Sequence, residues 1–152
     1  AVIIRDYDHP ERAAYVRHMV EVAQRCGVRA LVAGDPVLAR KVGADGFHMP
    51  EYQLWQRMPS RHGFSLVTAA TKSQKSMRRA AALGVDMALC SPIFKTRSPV
   101  GAKGMGVHLR SRIIRDAPLA VVALGVIDET TIRRLRGLDI AAIASIDGLS
   151  AV

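Results

Sequence analysis

Residues 90–106, with the sequence CSPIFKTRSPVGAKGMG, combine small, hydroxyl-bearing and cationic side chains at the end of an apolar segment. Beyond Pro92, the polar side chains of this segment are two hydroxyls and three cations, namely Thr96, Ser98, Lys95, Arg97 and Lys103. Backbone amides of glycine-rich loops bind anions, and hydroxyls and cations add to that binding. The segment therefore predicts a phosphate-binding loop, and a solvated surface loop is the simpler alternative.

Other polar or small residues stand at or after the ends of the remaining apolar segments, where ligands bind in parallel α/β folds. They include Arg5, Asp35, His48, Thr68, Gly125 and Ser145. Asp35 precedes a proline, a spacing that is also typical of a helix N-cap. His48 could serve as a ligand or a base, but a buried structural role is favoured for a lone histidine at a strand end. Neither a Ser-His-Asp order nor a Cys-His pair indicates an activated nucleophile.

The elements that must position these residues are seven short apolar segments, which alternate with helical patterns or helix-sized connections. The segments cover residues 1–5, 29–34, 45–49, 64–69, 86–91, 119–125 and 139–145. Continuous rather than alternating apolar runs are typical of parallel strands that are buried on both faces. The pattern predicts a parallel α/β fold, either a symmetric barrel or a doubly wound sheet.

Glycines and polar caps mark the ends of the predicted helices. A glycine separates a helical pattern from the following strand at four places, Gly27, Gly43, Gly84 and Gly137. Glycines at helix C-termini adopt positive φ angles, so positive φ is expected at these four positions. Thr71 and Gln74 fit a capping box at a helix N-terminus.

The composition fits one globular domain over residues 1–152. Hydrophobic residues make up 49%, and no apolar run approaches the roughly 18 residues that a membrane span needs. The formal net charge of +9 attracts anions, but nucleic acid is disfavoured because aromatic residues, which stack on bases, are only 5%. Cys26 and Cys90 show no CxxC spacing, so both are interpreted as buried thiols of a reducing, cytoplasmic compartment.

Four segments, in the same order along the chain, resemble motifs of the thiamine-phosphate synthase and thiazole tautomerase family. They are VIIRDYD (2–8), VGADGFHMPEYQL (42–54), LGVDMALCSPIFKTRSPVGAKGMG (83–106) and LAVVALGVI (119–127). The resemblance implies a TIM (β/α)8-type barrel, of which seven βα units, the family's strands 2 to 8, are visible. The first βα unit has no counterpart here. We therefore expect either residues that precede Ala1 in the natural protein or another chain, as in a homo-oligomer, that covers the exposed strand edges.

The resemblance also implies a function and a set of site residues. The family's synthase is a transferase that joins hydroxymethylpyrimidine diphosphate to thiazole phosphate and releases pyrophosphate, with Mg²⁺ as cofactor and phosphorylated small molecules as partners. Arg5, Thr96 and Ser98 match its catalytic positions, and Asp35 matches a magnesium ligand. The residues that would bind the phosphate groups are Thr68, Arg97, Lys103, Gly125 and Ser145.

Five residues depart from the family's motif at site positions, namely Ile3, Tyr7, Gly34, Gln53 and Pro99. Gln53 takes the place of a second magnesium aspartate, and Tyr7 takes the place of a lysine. These replacements support a second hypothesis, a degenerate, non-catalytic family member that binds a phosphorylated metabolite. Magnesium-dependent binding of a pyrimidine diphosphate would distinguish the two hypotheses.

Overall fold

The computed structural model describes residues 1–93, 107–125, 127 and 132–146, with only the backbone described for 107–110. Several residues of the predicted phosphate loop lie outside these ranges, namely Thr96, Arg97, Ser98, Pro99 and Lys103. Their predicted roles therefore stay predictions.

Seven strands occur in the described part of the chain, as the apolar segments predicted. They are β1 (Val2–Ile4), β2 (Ala30–Ala33), β3 (Gly46–Met49), β4 (Leu66–Thr71), β5 (Met87–Cys90), β6 (Ala120–Leu124) and β7 (Ala142–Ala144). Within β1 to β4 and within β5 to β7, neighbouring strands follow the order of the chain. The connections contain the helices α1 (Arg12–Arg25), α2 (Pro36–Lys41), α3 (Gln74–Ala82) and α4 (Val107–Arg115), and the 3₁₀ turns Glu51–Trp55 and Ile132–Leu135. This alternation of parallel strands and helices confirms the predicted α/β class.

The chain consists of two compact units, and the boundary between them lies after Ala69. In the first unit, β1, β2, β3 and the beginning of β4 pair in parallel. Helix α1 buries a stripe of small and β-branched residues at helical spacing, Val16, Val20 and Ala23. These residues share a core with Ile4 and Val32. All four residues of β2 are buried, as expected for a strand that is covered on both faces.

The second unit, residues 70–152, contains β5, β6 and β7, which also pair in parallel. Its core includes Met77 of α3, Ile113 and Ile114 of α4, and Val121 and Ala123 of β6. None of the helices in the described ranges has the length and apolar character that a membrane crossing requires.

The predicted glycine turns are confirmed. The φ angles are +69° at Gly27, Gly43 and Gly84, and +82° at Gly137. This region is open to glycine without steric cost and is disfavoured for other residues. Each of the four glycines therefore lies in the turn between a helical segment and the next strand.

Two local predictions are wrong. Thr71 does not cap α3, because β4 continues through this buried β-branched residue. The capping box is formed instead by Ser73, whose side chain accepts from the Ser76 N–H at 3.1 Å. Cys90 is buried as predicted, but Cys26 is exposed. Helix α1 ends at Arg25, so Cys26 does not belong to the buried face of this helix.

Candidate active site

Three of the predicted site residues lie at one edge of the first unit, toward the carboxyl ends of its parallel strands. Arg5 follows β1, Asp35 follows β2 after one glycine, and Thr68 lies within β4. Because the strands are parallel and in register, their carboxyl ends share one edge of the sheet. This is the edge at which ligands bind in parallel α/β folds.

Asp35 has two structural partners. Its Oδ1 accepts a hydrogen bond of 2.9 Å from the Leu38 N–H, so Asp35 is the N-cap of α2, as its position before Pro36 indicated. Its Oδ2 lies 3.6 Å from Nη1 of Arg12. Both carboxylate oxygens are therefore engaged, one with a helix terminus and the other with a cation.

Arg12, which the sequence reasoning missed, joins the ends of β1 and β2. Its Nε donates to the Asp6 carbonyl at 3.2 Å, and its Nη2 donates to the Ala33 carbonyl at 2.9 Å. Its guanidinium also lies over the ring of Tyr7, 5.5 Å from the centroid. In the sequence, Arg12 resembles any cation near the start of an amphipathic helix. No local signal indicated a contact with a residue more than twenty positions away.

Three of the positions that depart from the family motif pack against one another. Gly34 has a φ of +76°, and a Cβ at this position would lie 2.9 Å from Cε1 of Tyr7. Nε2 of Gln53 donates to the Gly34 carbonyl at 2.7 Å. Oε1 of Gln53 is buried and has no hydrogen-bond partner among the described residues. In this arrangement, the Tyr7 ring therefore fills the space that a side chain at position 34 would take.

His48 and Thr68 form a buried pair beside this edge. Nδ1 of His48 and Oγ1 of Thr68 are 2.9 Å apart and hydrogen-bonded. Burial, and to a smaller degree the positive charge of Arg5, lowers the pKa of His48 from 6.5 to about 4. The imidazole is therefore neutral at neutral pH. His48 is buried and hydrogen-bonded, which agrees with the structural role favoured for it, and its hydrogen bond fixes the Thr68 hydroxyl.

The described donor atoms do not fit a divalent metal ion. No group of three or more His, Cys, Asp or Glu side chains that could hold a metal occurs within the described ranges. Mg²⁺ prefers several oxygen ligands with carboxylate charge among them. Here Asp35 already binds a helix terminus and an arginine, and Gln53 offers only a neutral amide oxygen. The predicted metal role of Asp35 is untested, and this arrangement does not favour it.

Gly125 and Ser145, the predicted thiazole-phosphate residues, belong to the second unit. Gly125 directly follows β6, and Ser145 directly follows the neighbouring parallel strand β7. Both residues are partly buried. The Gly125 carbonyl accepts from the Ile127 N–H at 2.9 Å. Their placement at adjacent strand ends agrees with the phosphate position of TIM-type folds, and the role itself stays a prediction.

Solved structures with similar folds define the class of protein. A thiamine phosphate pyrophosphorylase from Pyrococcus furiosus matches 95% of this chain with a TM-score of 0.72 at 18% identity, over 70% of that chain. A 3-hexulose-6-phosphate synthase matches 94% of this chain with a TM-score of 0.65 at 13% identity, over 77% of that chain. These likenesses identify a TIM-type α/β fold.

The sequence comparisons identify the family within that fold class. Residues 1–149 match the profile of the thiamine monophosphate synthase family, and the chain belongs to that family. It is similar to a thiamine-phosphate synthase of Thermus thermophilus, with 27% identity over 103 residues and 68% of this chain. It is also similar to one of Lactococcus lactis subsp. lactis, with 27% identity over 155 residues and 92% of this chain. The chain spans 50% of the length of the first relative and 66% of the second.

Proposed function

We propose that this protein is a transferase of thiamine biosynthesis, which joins hydroxymethylpyrimidine diphosphate to thiazole phosphate and releases pyrophosphate. The observation that carries the proposal is the family match over residues 1–149. Two relatives with sequence similarity to this chain are described as thiamine-phosphate synthases, which supports the same reaction.

The proposed reaction is a substitution at the methylene carbon of the pyrimidine. The bond between this carbon and the diphosphate oxygen breaks, and its electron pair leaves with pyrophosphate. The lone pair of the thiazole nitrogen then forms the new carbon–nitrogen bond. The protein's task is to hold both substrates in line and to stabilise the charge that develops on the leaving group.

Arg5 is the residue that we assign to the leaving pyrophosphate. It lies directly after β1 at the ligand-binding edge, is exposed, and acts electrostatically on the neighbouring His48. A guanidinium can donate two parallel hydrogen bonds to phosphate oxygens. Thr68 would add a hydroxyl that His48 holds in one orientation. Thr96, Ser98, Arg97 and Lys103 lie outside the described residues, and we propose for them the diphosphate-binding roles that the family resemblance implies.

Gly125 and Ser145 are proposed to receive the thiazole phosphate at the ends of β6 and β7. Backbone amides and a small hydroxyl at this position bind phosphate in TIM-type folds. Both substrates are water-soluble phosphorylated metabolites, so we propose a cytoplasmic location. The Mg²⁺ that the family resemblance implies has no fitting donor set among the described residues, and no step of the proposed mechanism depends on it.

The test is a product assay with the full chain, the pyrimidine diphosphate and the thiazole phosphate, in which thiamine phosphate is followed by mass. We expect turnover, and a loss of about a hundredfold in kcat/KM for Arg5→Gln, the usual cost of one electrostatic transition-state contact. Arg17→Gln removes the same charge from an exposed position of α1 and is expected to retain the wild-type rate. Absence of product from folded protein would reject the proposal. If the protein still bound phosphorylated ligands, the non-catalytic alternative would stand.

A further inference from the structure

A cation of this chain already occupies the carboxylate that a metal ion would need. Oδ2 of Asp35 faces Nη1 of Arg12 at 3.6 Å, and Oδ1 accepts from the α2 terminus. We propose that Arg12 supplies the positive charge for a diphosphate at the ends of β1 and β2, in place of a divalent metal ion. The choice of diphosphate as the anion rests on the proposed function.

Arg12 makes a metal ion at Asp35 less favourable, because both cations would share one carboxylate. A magnesium ion binds a carboxylate oxygen at about 2.1 Å, which would place two cations on the same oxygen. Moving Arg12 away would also break its hydrogen bonds to the carbonyls of Asp6 and Ala33. The side chain of Arg12 is 20% exposed, and its hydrogen bond to Ala33 is partly buried whereas that to Asp6 is exposed. The arrangement therefore favours the guanidinium over a metal ion.

Arg12 still has donors for an anion after its structural contacts are made. A guanidinium has five N–H groups. In the described part of the chain, Nε and Nη2 each donate one to a carbonyl, and Nη1 faces Asp35. One N–H remains on each of the two terminal nitrogens. A guanidinium that keeps donors on both terminal nitrogens can bind oxygens of a phosphate group.

The surroundings of Arg12 hold the guanidinium in place. The Tyr7 ring lies under it at 5.5 Å, a distance at which cation–π attraction acts. Gly34 leaves room for that ring, because a Cβ there would approach Tyr7 to 2.9 Å. Gln53 in turn donates to the Gly34 carbonyl. Three residues that replace motif residues are thus linked through Gly34, and one of them, Tyr7, contacts Arg12.

The first test measures binding of inorganic pyrophosphate to the full chain by calorimetry, once with EDTA and once with Mg²⁺. We expect binding with EDTA, and a loss of roughly ten- to hundredfold in affinity for Arg12→Gln, the range for hydrogen bonds to a charged group. Arg17→Gln, on the same helix and exposed, removes the same charge and should bind like the wild type. Binding that appears only with Mg²⁺, or an unchanged affinity in Arg12→Gln, would overturn the inference.

The second test uses Asp35→Asn. Opposite results are expected for this variant, depending on whether Arg12 or a metal ion supplies the positive charge. Asparagine is as good an N-cap as aspartate and still offers an oxygen to Arg12, so the variant is expected to fold. Removal of the negative charge should leave pyrophosphate affinity equal to or above the wild-type value if Arg12 is the cation. A metal ligand at this position would instead lose affinity on substitution, and that result would overturn the inference.

The outcomes also separate this inference from the proposed function. Thiamine phosphate production with pyrophosphate binding only in the presence of Mg²⁺ would refute the role of Arg12 and leave the proposed function intact. Pyrophosphate binding with EDTA that is lost in Arg12→Gln, without any product, would support Arg12 and refute the transferase. Absence of pyrophosphate binding under both conditions would refute both. Thermal unfolding of each variant establishes that it is folded.

Discussion

Acidification should destabilise this protein through one buried side chain, His48. The pKa of His48 is lowered from 6.5 to about 4, first by burial and then by the charge of Arg5. Above pH 6.5, the imidazole is neutral in the folded and the unfolded chain and adds no pH dependence. Below that value, the unfolded chain binds a proton that the folded chain does not yet bind. The free energy of unfolding must therefore fall as the pH is lowered from 6.5 toward 4.

The size of this loss follows from the two pKa values. Each pKa unit corresponds to about 1.4 kcal/mol, so a fall from 6.5 to about 4 gives about 3 kcal/mol for His48. The slope contributed by this single proton is at most about 1.4 kcal/mol per pH unit. A loss of about 3 kcal/mol is large against the roughly 5–15 kcal/mol by which domains are stable.

The assay is urea denaturation at a series of pH values between 7 and about 4, followed by circular dichroism, on wild type and His48→Asn. Asparagine can keep a hydrogen bond to Thr68 but does not titrate, so its stability curve should be flatter than the wild-type curve in this pH range. His18→Asn, an exposed position of α1, is the matched control and should keep the wild-type slope. Parallel curves for wild type and His48→Asn would refute the assignment.

Two further predictions concern the turn before α2 and the cysteines. Gly34→Ala should cost about 1–3 kcal/mol because it combines strain at φ +76° with a Cβ 2.9 Å from a tyrosine ring carbon. Gly43→Ala, with φ +69° and nothing within 4 Å, should cost less, and equal shifts in the urea midpoint would contradict the steric argument. Cys26 is exposed and Cys90 is buried, so a maleimide should label Cys26 in the native protein and Cys90 only after urea is added, as peptide mass spectrometry can show.

The strands could be predicted because their environment leaves a strong mark on the sequence. A strand covered on both faces needs apolar residues throughout, so β2 appears as an uninterrupted run. The turns before β2, β3, β5 and β7 contain a residue with a positive φ, and glycine is the residue that adopts it most readily. Gly27 and Gly43 therefore mark the approach to β2 and β3 by residue type alone.

Helix ends were harder to predict, because several residues compete for each cap. Thr71 has the right type for an N-cap, but its β-branched side chain is also suited to a strand, and burial decided the competition. The N-cap is instead Ser73, two residues further along the chain. Ser76 stands three residues after Ser73, the spacing that a capping box requires. Cys26 shows a different limit, since its residue type favours burial, but its place beside the turn at Gly27 leaves it exposed.

The candidate site was predictable only where a motif marked the residue. Arg5 and Asp35 were assigned because they follow strands and match the family pattern. Arg12 carried no such mark, because its importance comes from contacts with β1 and β2 that depend on the tertiary fold. The charge of one arginine on a helix does not reveal whether it faces water or a carboxylate.

A comparison made position by position treats Tyr7, Gly34 and Gln53 as three separate losses from the family's set of site residues. Their contacts give a different account, because the Tyr7 ring needs the space at Gly34, and Gln53 binds the Gly34 carbonyl. The same ring lies under Arg12, which pairs with the remaining aspartate. A substitution at one of these positions therefore changes which residues fit at the other positions. If Arg12 supplies the charge, the replacement of a magnesium aspartate by Gln53 does not require the loss of anion binding at this edge.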